Sequence, residues 1–347
     1  MKIKWGVIGC GGIADRRTIP GMMLADNAEL IAVMDANEEF AQKVKEKYNA
    51  KYAFTDYNEL LKLDEIDAVY IASPVFCHEE QAMAAAKAKK HILLEKPMGL
   101  TTAISEKIKK CCEDNNVKIG VGLMMRFSQY HREMKKLVDD KKLGEIVSLR
   151  AQFTCWFPDM ENNWRQKFAT GGGGALTDMG IHCIDILKYI SGLKAKEVAS
   201  ICGTQIFNYE VEDAGGILMR MENGAIAYVD ANFNIPDDGA ICKLEIYGTE
   251  GSITAEGTIA QDEVGTVNVT ITGNQGAYNA AQQARKKNAY QMSFTPENMY
   301  AKQIASFGNA IINNTEPEIT ADDAIYVQRI IEAAYESNKT KCFVTIQ

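Results

Sequence analysis

Lys4-Trp5-Gly6-Val7-Ile8-Gly9-Cys10-Gly11-Gly12-Ile13-Ala14 is the stretch on which the reading of this 347-residue chain turns. Lys4–Ile8 reads as a short buried strand. Glycines follow at once, and a helical pattern runs from about Ile13 to Leu24, with a bend expected near Pro20. Strand, glycine turn and helix in this order can hold a dinucleotide. Gly9 permits the tight turn, and Gly11 lets the backbone approach a pyrophosphate, whose charge the helix N-terminus favours. Gly12 and Ile13 complete the turn, and Ala14 is a permitted small residue for close helix–strand packing. The same spacing also occurs in unrelated α/β turns, so a second element is needed. Asp35 supplies it, ending the apolar run Leu30–Met34 about 20 residues on, where a ribose-binding acid is expected. The bland alternative is that Asp35 caps the next helix. An acid on the ribose repels a 2′-phosphate, and Ala36 and Asn37 supply no cation, so NAD is expected as cofactor. Arg16 and Arg17 keep NADP open.

Outward from the turn, strand and helix patterns alternate. Glu38–Tyr48, Glu79–Lys89 and Thr101–Glu113 have helical spacing, while Asp67–Ala72, His91–Leu94 and Lys118–Leu123 read as strands. Short strands separated by helices of about ten residues predict parallel βαβ units with right-handed crossovers. After about Met125 the character changes. A helix at Tyr130–Lys141 leads into strands at Val147–Phe153, Glu197–Gln205, Gly215–Met221, Ala225–Asn232, Cys242–Tyr247 and Val267–Thr272. Turn signals such as Glu222-Asn223-Gly224 separate some of them, as in antiparallel hairpins. A helix at Thr177–Ile190 interrupts, introduced by four glycines at 171–174 that imply close backbone approach or a mobile lead-in. Helices near Asn298–Asn313 and Ala321–Asn338 and a strand at Cys342–Ile346 close the chain. The expected organisation is a dinucleotide-binding α/β domain over 1–124 and an α+β domain over 125–347 that holds substrate and mediates oligomerisation. The polar segment Gly273–Phe294 reads as a long loop or an extra helix. With Phe157–Phe168 it is the expected seat of substrate specificity.

Composition narrows the classes. Hydrophobic residues at 46% and charged residues at 24% are ordinary for a globular protein. A net charge of −8 argues against a nucleic-acid or anionic-membrane partner. The N-terminus runs straight into a strand without a leader pattern, and no run approaches the roughly 18 apolar residues of a membrane span. Nine scattered cysteines without a C-x-x-C pair predict reduced, mostly buried thiols, no metal site and a cytoplasmic location.

Three residues carry the chemistry. Lys96, in Glu95-Lys96-Pro97, closes a predicted parallel strand, and ligands in open α/β sheets bind beyond such strand ends. Burial and charged neighbours can tune such a lysine for proton exchange, although a surface salt bridge explains it as well. Asp178 and His182 stand four residues apart on a predicted helix, hence on one face, where a carboxylate can orient an imidazole. A helix-surface contact is the plainer reading of that pair. His91 and His131 read as structural, and Trp156 and Phe157 as pocket walls or core.

These features, taken with their order along nearly the whole chain, resemble the Gfo/Idh/MocA oxidoreductase family. The matching motifs are GCGGIA at 9–14, Asp35, Ser73-Pro74 with His78, Glu95-Lys96-Pro97, Met125-Arg126-Phe127, Leu143–Ile146 and Trp164-Arg165. GGGGALTDMGIHCIDIL at 171–187 and Tyr247–Ser252 match as well. The resemblance implies an N-terminal Rossmann domain and a C-terminal domain on a large, mostly antiparallel sheet through which members dimerise or tetramerise. It implies a cis bond before Pro97, Lys96 as catalytic lysine and His182 as general acid/base, with Asp178 orienting it or binding substrate hydroxyls. Ser73, Pro74, Glu95, Trp164 and Arg165 would lie by the cofactor, and His78 would either lie there or cap the helix that follows. Lys96, Arg126, Trp164, Asp178 and His182 would lie by the substrate, a sugar, cyclitol or glycoside. Asp185, three residues after His182, would help polarise the site, pack or form a surface salt bridge. Two departures stand out: Val75 where many members carry Asn, and Met125 where many carry Arg or Asn. The alternatives are an NADPH-dependent keto-sugar or dihydrodiol-type reductase, and a non-catalytic NAD-binding regulator.

Overall fold

The computed structural model describes residues 1–274, 276, 280 and 288–346, so half of the polar segment expected as a loop or extra helix lies outside the described residues, and Asn288–Gln291 within the rest is a strand instead. Two compact units share the chain, each discontinuous in sequence. One holds Met1–Met124, Asn163–Gly172 and Asn298–Gln328; the other holds Met125–Asn162, Gly173–Glu297 and Arg329–Gln347.

The first unit opens with β1 (Ile3–Ile8), α1 (Ile19–Leu24), β2 (Ala28–Met34), α2 (Glu38–Tyr48), β3 (Tyr52–Phe54) and α3 (Tyr57–Leu61). It continues with β4 (Ala68–Ile71), α4 (His78–Lys87), β5 (His91–Leu94), α5 (Thr102–Asp114) and β6 (Ile119–Val121). The six strands form a sheet in the order β3-β2-β1-β4-β5-β6, parallel throughout. That is the Rossmann order, with its switch point between β1 and β4. All four residues of β4 are buried, as expected of a parallel strand covered on both faces. Local capping sets the helix starts: the Asn37 side chain accepts from the Phe40 N–H at 3.0 Å, and that of Thr101 from the Ile104 N–H at 3.2 Å. The expected bend at Pro20 does not interrupt the helix. A wide π turn over Ala14–Thr18 runs directly into α1, and Pro20 falls in the first turn of α1, where a missing N–H is tolerated.

Beyond β6 the chain runs through α6 (Gln129–Asp139), β7 (Ile146–Thr154), α7 (Phe168–Gly171), α8 (Ile181–Ser191), β8 (Ala195–Gly203) and β9 (Ala214–Met221). Then come β10 (Ile226–Asn232), β11 (Lys243–Gly248), β12 (Gly251–Glu256), β13 (Thr266–Ile271), β14 (Asn288–Gln291), α9 (Met299–Ile312), α10 (Ala321–Thr340) and β15 (Val344–Thr345). Nine strands of the second unit form one sheet, β14-β13-β12-β11-β7-β10-β9-β8-β15. Its pairs are antiparallel except β7 with β10. Strand residues alternate sides: Leu149, Ala151, Val229, Ala231, Leu244 and Ile246 are buried. On the other face Arg150 pairs in register with Tyr228 and Glu245, and the guanidinium lies 5.5 Å from the Tyr228 ring.

Helix α9, near the C-terminus, packs in the core of the first unit. Phe307 meets Trp5 at 5.8 Å between ring centroids, and Ile304 joins the same buried cluster as Ile3, Val7 and Val33. The Asn27 side chain donates to the Ala305 carbonyl at 2.9 Å, which pins the start of β2 to α9. All nine cysteines are free thiols. Only Cys10, Cys112 and Cys183 are buried, which corrects the expectation of mostly buried thiols. Cys155, Cys202 and Cys242 lie at or near strand ends, where the sheet margin leaves them partly exposed. Among the described residues no group of His, Cys, Asp and Glu could hold a metal ion, and no helix is long and apolar enough to cross a membrane.

Candidate active site

In the first unit the glycine turn and Asp35 come together at the carboxyl ends of β1 and β2. The Gly9 and Cys10 N–H groups both donate to the Met34 carbonyl, at 2.9 and 3.1 Å. Gly9 has φ +78°, and a Cβ there would lie 2.5 Å from the Ser73 nitrogen, so no other residue fits. The Ala14 N–H donates to the Gly11 carbonyl at 2.9 Å, closing the turn, and Ala14 itself is fully buried. A Cβ at Gly11 would lie 3.7 Å from the Asp35 Oδ2, so the carboxylate looks onto the turn. Asp35 accepts from the Asn37 N–H at 3.1 Å, while Asn37 itself caps α2. The helix-cap reading of Asp35 is thereby set aside. A turn with bare backbone beside an acid at the end of β2 fits a ribose and pyrophosphate.

The loops after β4 and β5 are tied to each other by His78, at the start of α4. Its Nδ1 lies 3.0 Å from the Pro97 carbonyl and its Nε2 2.9 Å from the Ser73 carbonyl. Burial pushes this imidazole down to about 4, against the pull of both carbonyls. Ser73 hydrogen-bonds the Gln81 side chain, and Pro74 leads into α4. The Lys96–Pro97 bond is cis. A buried chain of hydroxyls reaches the same place from the cofactor side: Thr18, in the π turn, donates to the Tyr70 hydroxyl at 2.9 Å, and Tyr70 donates to Glu95 at 2.5 Å. The second Glu95 oxygen accepts the Lys96 N–H at 3.2 Å. Burial pushes the Glu95 carboxyl up, against the Tyr70 hydrogen bond and the charges of Lys96 and Arg165. Arg165 stacks on Trp164 at 4.2 Å, and its charge reaches both Glu95 and His78, so Trp164-Arg165 belongs to this loop cluster.

In the second unit Asp178 and His182 sit where a π turn over Leu176–Gly180 opens into α8. Such turns occur frequently at functional sites. Asp178 is partly buried, and His182 is 5% exposed with its ring edge-on to Phe153 at 5.9 Å. Arg126 is held by Asp185, one turn beyond His182, through its Nε at 3.0 Å from both carboxylate oxygens and through Nη2. Its guanidinium also lies 5.4 Å from the Tyr189 ring. Asp185 is thus the buried partner of Arg126 rather than half of a surface salt bridge. Breaking such a pair from one side costs about 3–5 kcal/mol. His131 is fully buried, 2.8 Å from the Met125 carbonyl through Nδ1, and His91 accepts the Lys118 N–H at 2.9 Å, so both are structural. Trp156 is 43% exposed and packs edge-on against Phe207 at 5.1 Å, so it is not core.

Four participants escaped the sequence reading: Thr18, Tyr70, Glu212 and Tyr335. Glu212 and Tyr335 brace the start of the helix that carries Asp178. Tyr70 looks like any strand apolar residue, and Thr18 like any helix residue. Glu212 left one faint signal, an acid beside Val211 at the mouth of a buried strand.

Residues 3–123 match the model of an oxidoreductase family with an NAD-binding Rossmann fold, and residues 131–254 match the GFO/IDH/MocA C-terminal domain. The chain is 27% identical over 326 residues to a 1,5-anhydro-D-fructose reductase of Ensifer adhaerens, covering 93% of this chain and 92% of that one. It is 26% identical to a myo-inositol 2-dehydrogenase of Thermotoga maritima over 99% of both. The structure of levoglucosan dehydrogenase in complex with NADH and levoglucosan superposes with a TM-score of 0.87 over the full length of both chains at 23% identity, a likeness of fold.

Proposed function

The chain belongs to the Gfo/Idh/MocA family of NAD(P)-dependent oxidoreductases, and on that premise we propose that it interconverts a secondary alcohol and a ketone on a sugar, cyclitol or glycoside with NAD. What carries this reading is that one chain holds both an intact Gly9–Asp35 cradle and an intact Asp178–His182 turn. When bound, the nicotinamide supplies the hydride acceptor or donor. His182 takes the hydroxyl proton of the carbinol on oxidation and returns it to the ketone oxygen on reduction. Asp178, one turn earlier, orients that imidazole or holds a neighbouring hydroxyl. The Lys96 ammonium polarises the same oxygen, and Glu95 fixes the Lys96 backbone from behind. Arg126, assigned to the substrate side, is fixed by Asp185. Asp35 favours NAD, in keeping with the NADH complex of levoglucosan dehydrogenase.

The names of the relatives, a 1,5-anhydro-D-fructose reductase and a myo-inositol 2-dehydrogenase, support the substrate class. The polar and aromatic face of the nine-stranded sheet, with Arg150, Tyr228, Glu245 and Tyr247, supports a homodimer or tetramer through that face. The test is NADH absorbance with a panel of polyols and keto-sugars. His182→Ala and Lys96→Ala are each expected to lower kcat by about a hundredfold or more on the active substrate. Full activity in both variants would remove the assigned roles, and NAD binding without turnover across the panel would favour a dinucleotide-sensing regulator.

A further inference from the structure

Glu212 is a buried acid with no part in the proton transfer assigned above. It is 4% exposed, and a carboxylate so placed must be fully hydrogen-bonded. It is. Both oxygens lie 3.0 Å from the Gly174 N–H, and one also accepts the Leu176 N–H at 2.9 Å and the Tyr335 hydroxyl at 2.8 Å. The Glu212 carbonyl accepts the Ala175 N–H at 3.0 Å.

These bonds converge on one short stretch. The carbonyl of Gly174 accepts the Asp178 N–H at 2.9 Å, so a single residue links the buried carboxylate to Asp178. Thr177, between them, places its hydroxyl 2.9 Å from the Tyr335 hydroxyl. Space is committed as well. A Cβ on Gly174 would lie 1.9 Å from the Glu212 carbonyl oxygen, and one on Gly173 would lie 2.0 Å from the Tyr335 hydroxyl. Glycine is therefore required here for approach. The wide turn over Leu176–Gly180 departs from ordinary α-helical hydrogen bonding. An acid at this end also satisfies free N–H groups and suits the helix dipole.

We propose that Glu212 is a positioning residue of the reaction: with Tyr335 it holds the wide turn, and through it the aim of Asp178 and His182. This rests on His182 being the acid/base. A displacement of about 1 Å in a reacting group is enough to lower turnover a hundredfold.

The test compares Glu212→Ala, Glu212→Gln, Tyr335→Phe and His182→Ala in the full chain, reading kcat, KM for the sugar, NADH affinity by fluorescence and thermal unfolding. Glu212→Ala is expected to lose about a hundredfold in kcat while NADH affinity stays within about twofold. Gln keeps an acceptor at the oxygen that takes three bonds and is expected to restore kcat to within about tenfold of wild type. Tyr335→Phe is expected to lose about three- to tenfold in kcat. Wild-type kcat in a folded Glu212→Ala protein would overturn the proposal. If that variant does not fold, wild-type kcat in both Glu212→Gln and Tyr335→Phe would do so, as would kcat and NADH affinity falling together. An inactive His182→Ala beside fully active Glu212 variants removes the positioning role alone; an active His182→Ala removes the acid/base reading itself.

Discussion

Two glycine-rich segments introduce helices in this molecule, and they use glycine for opposite reasons. In the turn at 9–14 the demand is first on the backbone: Gly9 has φ +78° and Gly12 +50°, and a Cβ at Gly12 would meet nothing within 4 Å. In the loop at 171–174 the demand at the last two positions is on space that distant residues occupy, Tyr335 at Gly173 and Glu212 at Gly174. Both segments lead into a π turn. The first turn carries its own meaning, because its acid partner ends the very next strand. The second means nothing until Glu212 and Tyr335, well over thirty positions on in sequence, fold against it.

The contrast can be broken most directly at Gly174. Alanine there drives a Cβ into backbone rather than into a yielding side chain, so Gly174→Ala is expected to cost about 3 kcal/mol or more in urea unfolding. Wild-type stability would show that the loop is merely mobile. Next in size is the acid limb, to which each of the two compact units contributes one buried histidine. Burial holds His78 and His131 down to about 4 from 6.5, and the His131 Nε2 is buried without a hydrogen-bond partner. A depressed folded value means stability that is complete above 6.5 and lost as pH falls through about 4. The loss is up to about 3 kcal/mol per histidine, and His131→Gln is expected to flatten that limb in a pH series of unfolding midpoints.

Gly9→Ala acts on the other side of the comparison. Its φ and the Ser73 backbone 2.5 Å away predict at least about a tenfold loss of NADH affinity by fluorescence titration. Unchanged affinity would mean that the turn does not hold the dinucleotide. The smallest effect is expected at Asp35. Asp35→Ala should move the NAD-to-NADP preference by about tenfold towards NADP, because it removes a repulsive carboxylate without adding a cation. An unaltered ratio would take Asp35 off the ribose.

Much of the fold was legible because short-range physics writes it into short windows. The runs at Lys4–Ile8 and His91–Leu94 and the helix at Glu38–Tyr48 lie where their patterns put them. The strands β3, β12 and β14 and the helix α3 went unread: β3 spans three residues and α3 five, and β12 and β14 each carry a single bulky apolar side chain. At the site, Gly9, Asp35 and His182 belong to motifs with fixed local spacing and could be named in advance. Sequence alone thus determined the Rossmann start, the dinucleotide class and the residues to suspect, all consequences of backbone geometry within a turn or two. Only the tertiary structure decided that Asp185 clasps Arg126, that α9 returns to the core beside Trp5, and that Glu212 and Tyr335 stand behind the second glycine loop. Those pairings are separated by dozens to hundreds of residues. What selects them is burial and hydrogen-bond satisfaction in three dimensions, which no local pattern encodes.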